Sequence, residues 1–325
     1  MSLFTSLRYL VALHQHRHFG RAAQACHITQ PALSNAITAL EKEFGTAIVK
    51  RGRAFESLTP EGERILITAQ RVLHEQELLR QDLQSTADQP VGAVTIAAVP
   101  SVMPIAAQFA GMLQARHPGL SLVLRSMSSP DIEAGLENLS VDIALGYTQR
   151  LQSKAARMTA IAQYTERYFV LRRADSPAKK GLRLHKRPMA WADAARLPLC
   201  LLTPEMHNRA IIDAALAQAG CKVQAAIETD SILALGLSVM AGQVSSILPG
   251  ALVGVLRGYA ELEAIPLVAP EVLTPIGFMF ACTERPSHAL RCALHLANDA
   301  DWLRHAQAHS GMLQSTGRAS VDKTP

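Results

Sequence analysis

Residues Ile28 to Gly45 read ITQPALSNAITALEKEFG. The apolar residues Leu33, Ile37, Leu40 and Phe44 recur every three or four positions, which is one stripe of an α-helix. Thr29 stands at the cap position. Pro31 falls in the first turn, where a missing N–H costs nothing, and Gly45 stands where helices end with a positive φ. The other side carries Pro31, Ser34, Asn35 and Thr38, with no charge before Lys42. Taken alone, that side is the solvated face of an ordinary helix. It also suits a helix whose N-terminal half lies against base edges in a major groove, with bulk and charge kept back. The flanking sequence decides between the two.

Upstream, Leu7, Leu10, Val11 and Leu13 give a first short helix that ends near HQHRH, and FGRAAQACHI gives a second with small residues suited to close packing. Downstream, two short apolar pieces around AIV and ESL are separated by KRGR, a small hairpin with a basic tip. From Thr59, the stretch TPEGERILITAQRVLHEQELLRQDLQ is a long helix with Thr59 as cap, Pro60 in its first turn and Glu61 and Glu63 at its positive end. Ile65, Val72 and Leu79 recur every seven residues, with Ala69, Gln76 and Leu83 four further on, a short coiled-coil seam that predicts a homodimer through residues 60–85. Three short helices, a basic hairpin and a dimer helix make a winged helix-turn-helix. In it, Gln30 and Asn35 pair with base edges, Ser34 and Thr38 reach bases or phosphates, and Arg51 and Arg53 lie against phosphate or in a minor groove.

The whole chain has 325 residues, 49% hydrophobic and 18% charged, which predicts a folded protein of two or three domains. Its formal net charge is +5, and residues 1–60 alone carry seven Lys/Arg against three acids, a bias compatible with a polyanion. Five cysteines, odd in number and without a CxxC pair, predict reduced thiols. With no secretory leader and no long apolar run, the chain reads as cytoplasmic, without a membrane partner. His14, His16 and His18 tempt a metal reading, yet only His14 and His18 share a helical face and no acid or Cys joins them, so neither a metal nor a cofactor is expected. GxSxG, HExxH, GxGxxG and GxxxxGK[ST] are absent, so no catalytic residue is assigned and the chain reads as a non-enzyme.

After the polar hinge STADQPVG the pattern becomes α/β: VTIAAVP, LSLVLRSM and VDIALGY read as buried strands separated by helices, and a second set runs from RYFVLRR to SSILPG. That alternation predicts parallel strands with crossover helices. Ligands of such sheets bind beyond the carboxyl ends of the strands. Ser101, Ser128 and Ser129 follow strands of the first set, while Thr203 and Ser231 follow strands or open helices of the second. Each is also a plain helix cap, but together they form a candidate effector site for a small polar or anionic molecule, such as a carboxylate of one or a few carbons like formate.

The stretch from LRYLVALHQ through FGRAA, TQPALS, ALEKEFG and LTPEGE strongly resembles the N-terminal domain of LysR-type transcriptional regulators. VTIAAVPS, DIALGY, LLTPEMHNR and AGQVSSILPG resemble the family's effector domain. The resemblance implies a fold of mixed class: an all-α winged helix-turn-helix over 1–58, a dimerisation helix over 59–88 and an α/β effector domain over 89–310. That domain would comprise two Rossmann-like subdomains, about 91–163 with 268–305 and about 164–267, before a flexible tail over 311–325. It implies DNA contacts by Gln30, Pro31, Ser34, Asn35, Arg51 and Arg53, a homotetramer built from two dimers, and RNA polymerase as a further partner. The function so implied is sequence-specific transcription control switched by a small effector. From the residues alone two others stay open, an architectural DNA-binding protein with a vestigial cleft and an α/β enzyme fused to a DNA-binding domain.

Overall fold

The computed structural model describes residues 2–51, 55–84, 90–153, 158–282, 286–310 and 313. They divide into two compact units with the boundary at Val91 and Gly92.

The first unit is built from α1 (Leu3–His16), α2 (Phe19–Ala25), α3 (Gln30–Phe44), the hairpin β1 (Val49–Arg51) and β2 (Phe55–Leu58), and α4 (Pro60–Gln84). Local signals place its ends. Ser2 caps α1, the His18 ring caps α2 by accepting from Arg21 N–H, and the Thr29 hydroxyl accepts from Ala32 N–H. Gly45 closes α3 at φ +64°, a left-handed conformation that glycine adopts without a Cβ penalty. Leu33, Ile37 and Leu40 are fully buried against Leu10, Leu13 and Ala22. Phe44, expected to extend that stripe, is the last residue of α3 and is 46% exposed. The Thr59 hydroxyl donates to Ala47 O (2.6 Å) and accepts from Gly62 N–H (2.9 Å), tying the start of α4 to the hairpin. A Cβ on Gly62 would stand 2.1 Å from Ile48 O, so this approach of two backbones requires glycine.

The second unit holds two sheets. The first is formed by β3 (Gly92–Ala98), β4 (Leu120–Ser126), β5 (Ile143–Tyr147), β6 (Met158–Glu166) and a strand returning late in the chain. Between them lie α5 (Met103–Arg116) and α6 (Ser129–Glu137). The second sheet takes β7 (Tyr168–Arg173), β8 (Arg183–Leu184), β9 (Met189–Ala190), β10 (Leu199–Leu202), β11 (Ile227–Thr229), β12 (Ser245–Pro249) and β13 (Leu262–Val268), with helices α7 (Trp191–Ala194), α8 (His207–Gln218), α9 (Ile232–Met240) and α10 (Gly250–Val255). The chain then returns through β14 (Thr274–Ala281) to the first sheet and ends in α11 (His288–Ala297) and α12 (Ala300–Ala308).

Strand order is β4-β3-β5-β14-β6 in the first sheet and β11-β10-β12-β7-β13-β8 in the second, with β9 also on β13. The expected all-parallel pattern holds for β3, β4 and β5 and for β10, β11 and β12. It fails where the chain passes between sheets. β14 runs antiparallel to β5 and β6, and β7 antiparallel to β12 and β13, because β6 leads directly into β7 without a crossover helix. β6 stays in the first sheet to Glu166, past the division expected near residue 163. Leu313, in the stretch expected to be a loose tail, is buried in the core of the second sheet beside Leu252 and Val253. No helix among the described residues is long and apolar enough to cross a membrane.

Candidate functional sites

On α3, Gln30, Pro31 and Asn35 are exposed and Ser34 and Thr38 half-buried, all on the side away from the core residues. Gln30 and Asn35 have no hydrogen-bond partner among the described residues, so their amides are spent on water. The Thr38 hydroxyl donates back to Ser34 O (3.1 Å), which holds it along the helix. Glu41 turns inward, its carboxylate accepting from Ile48 and Val49 N–H at 3.1 and 3.3 Å, and so anchors β1 to α3. The first exposed charge on this face is therefore Lys42. Arg51 ends β1, and Arg53 lies outside the described residues.

In the second unit, a cleft of about 710 Å³ lies between the subdomains, lined by Pro100, Met103, Ser128, Glu205, Met206 and Asp230 among others. It sits at the carboxyl ends of β3 and β4 on one side and of β10 and β11 on the other, where the pleat ends and loops turn into helices. Of the five expected effector residues, Ser128 lines it directly, with its hydroxyl given to Asp131 (2.6 Å) as the cap of α6. Ser231 caps α9 through Ala234 N–H, between the lining residues Asp230 and Ile232. Ser101, Ser129 and Thr203 lie deeper. Ser101 is buried with its hydroxyl 2.8 Å from the Tyr147 hydroxyl, while the buried hydroxyls of Ser129 and Thr203 have no partner at hydrogen-bond geometry.

The structure adds residues that the linear pattern did not single out. The Tyr147 ring, at the end of β5, meets the His207 ring edge-on at the start of α8, with centroids 4.6 Å apart, and so links the two subdomains. Burial, assisted by the charge of Arg150, pushes the His207 imidazole below its ordinary value, so it is neutral at pH 7. Next to it, Asn208 donates to the Tyr168 hydroxyl (3.4 Å) and keeps a buried, unpartnered carbonyl oxygen. At the β6–β7 crossing, the Glu166 carboxyl is buried and accepts from Ala251 N–H (3.3 Å) at the start of α10. Burial pushes it up to about 8, so it carries a proton at neutral pH. An aromatic residue closing a buried strand, or a His opening a helix just past one, was the only linear sign of these groups. Neither sign shows what the side chain meets.

Chemically, the cleft lining offers the hydroxyls of Ser126 and Ser128, methionine sulfur and the acids Glu205 and Asp230, with no Lys or Arg among its lining residues. No group of three or more His, Cys, Asp or Glu among the described residues could hold a metal ion. The thiols of Cys26, Cys200 and Cys292 are pushed up by burial, away from the reactive thiolate form, and none of the five cysteines lines the cleft.

Residues 4–63 match the bacterial regulatory helix-turn-helix protein family of lysR type, and residues 87–301 match the LysR substrate binding domain. The chain is 27% identical over 294 residues to a hydrogen peroxide-inducible genes activator of Dickeya chrysanthemi, covering 88% of this chain and 90% of that protein. It is 30% identical over 299 residues to an uncharacterised HTH-type transcriptional regulator, YdcI, of Escherichia coli, covering 86% and 91%. Among solved structures, a full-length OxyR point variant of Pseudomonas aeruginosa shares the fold with a TM-score of 0.67 at 24% identity, covering 94% of this chain and 98% of that one. CbnR, a LysR family transcriptional regulator, does so with a TM-score of 0.62 at 20% identity, covering 94% and 99%.

Proposed function

The chain belongs to the LysR family of DNA-binding transcriptional regulators, and we propose that α3 reads its operator while a small molecule in the cleft of the second unit sets the output. The observation that carries this is the exposed, uncharged N-terminal half of α3, held on a fully packed three-helix core. Gln30, Pro31, Ser34 and Asn35 face base edges, Thr38 supports them from the next turn, and Arg51 and Arg53 grip phosphates. A second copy pairs along α4, where Val72, Leu79 (62% exposed) and Leu83 (79% exposed) continue a seam whose inner members Ile65 and Ala69 pack on the unit's own core. Two dimers make a homotetramer that works in the cytoplasm, where its DNA is, and signals to RNA polymerase. Footprinting an operator with wild type and Asn35→Ala tests the first part. Loss of sequence preference with retained nonspecific binding is expected, and an unchanged footprint overturns it.

The cleft supports a bound effector over thiol oxidation, since no cysteine reaches it. Its volume exceeds what a one-carbon carboxylate such as formate fills, and Glu205 and Asp230 at its edge favour a molecule of several carbons that brings a donor or cationic group as well as acceptors. Such a molecule bridges the Ser128 side to the Met206 side and shifts the population of closed subdomains. A thermal-shift panel of amino acids, polyols and short monocarboxylates checks this. A rise in Tm with a multi-carbon amino or hydroxy compound is expected, whereas a rise with formate alone refutes the size and charge assignment.

A further inference from the structure

Arg172 to Arg187 reads RRADSPAKKGLRLHKR, seven Lys/Arg against one acid, a formal net of +6 where the whole chain carries +5. The fold uses part of this charge internally. Arg172, Arg183 and His185 converge on the buried Glu263 carboxylate at 2.6, 3.5 and 2.9 Å. Arg173, Lys179, Lys180, Lys186 and Arg187 are exposed.

These cations stand on a fixed platform. Ala174, Ala178 and Leu182 N–H donate to Glu261, Ala260 and Arg257 O at 2.8 Å, and His185 N–H to Ala264 O at 2.9 Å. Gly181 sits at φ +59° with a would-be Cβ 2.3 Å from Arg257 O, so the turn is pressed against the neighbouring backbone. β8 and β9 line the outer side of β13, one at each end. Lys179 and Lys180 precede β8, and Lys186 and Arg187 lie between β8 and β9, so two cation pairs bracket β8 at the sheet edge. The exposed acids nearby are Asp175 and Glu261.

We infer that this edge is a second duplex-DNA surface, which takes phosphates without reading sequence. Its composition selects that partner. The stretch holds no Phe, Tyr or Trp, and its leucines are not exposed, so it lacks the apolar anchor a protein interface requires. A lone exposed Tyr259 on the adjoining turn is too little for a single-strand stacking platform. Lysines on a sheet edge also block strand-to-strand aggregation, a role that repulsion between like charges of either sign can fill. Phosphate binding, unlike protection of the edge, requires the positive sign.

That dependence is the test. Full-length wild type, Lys179→Glu with Lys186→Glu, and a control pair, Arg196→Glu with Lys222→Glu, are titrated against a long mixed-sequence duplex at several salt concentrations. Both pairs change net charge equally at exposed positions. The β8 pair is expected to reduce the slope of log K against log salt by about 2, near 0.9 for each phosphate lost, while the control keeps the wild-type slope. Equal slopes for wild type and the β8 pair overturn the inference, as does an equal loss in the control. A wild type with no salt-dependent binding would instead count against the DNA-binding function itself.

Discussion

Both units place small hydrogen-bonding side chains at helix starts, in opposite surroundings. On α3, Gln30 and Asn35 face water on a convex surface. Below the cleft, the Ser129 and Thr203 hydroxyls and the Asn208 carbonyl are sealed away without partners. Water satisfies the first set at no cost to folding, and base edges can replace it. The second set carries a desolvation cost in the folded protein, which a ligand or an admitted water can relieve. Variants on α3 should therefore change DNA binding and leave stability alone. Variants below the cleft should change stability and the effector response, in opposite directions.

The largest effect should come from breaking the support of α3 rather than its reading face. Gly62→Ala forces a Cβ into Ile48 O, separates α4 from the hairpin and should cost about 3 kcal/mol or more, seen as an early unfolding transition with DNA binding lost. Retained stability would show that the α4 start can move. Glu166→Gln should act next and with the reverse sign. Burial raises the folded-state value from 4.5 to about 8, so the folded protein keeps a proton that the unfolded chain releases. This part of the stability is complete below about pH 4.5 and is lost as pH rises towards 8, reaching on the order of 3 kcal/mol at pH 7. The Gln variant should flatten the fall of Tm between pH 5 and 8, and an unchanged pH profile would show that the carboxyl is ionised in the fold. Asn35→Ala should weaken operator binding by about 1–3 kcal/mol at unchanged Tm. A matching drop in Tm would make Asn35 part of the core instead. Smallest of all, Ser129→Ala should raise Tm by the equivalent of about 1 kcal/mol while blunting the effector-induced shift, and calorimetry with the effector separates the two.

The first unit was legible because its signals are local. Thr29, Pro31 and Gly45 mark the ends of α3 within eighteen residues, and Leu33, Ile37 and Leu40 mark its buried side. Phe44 misled because periodicity says which side a residue lies on, and not where the neighbouring core stops. In the second unit the strands β3, β5 and β10 were legible as apolar runs. The antiparallel return of β14 was not, since β5 and β14 lie more than a hundred residues apart. Ser101, Ser128, Ser129, Thr203 and Ser231 were placed near the cleft by the rule for strand ends, yet only contacts show that Ser128 and Ser231 act as caps while Ser129 and Thr203 are orphaned.

By itself, then, the sequence determined the helix-turn-helix, its caps and its charge-free face, because these depend on residues a turn or two apart. Tertiary structure alone decided that Tyr147 meets His207, that Glu166 is buried at the crossing between sheets, and that the cations around β8 share one edge. Burial and dielectric surroundings are set by neighbours remote in the chain, and it is those neighbours that determine whether a hydroxyl, a carboxyl or a lysine is idle or able to act.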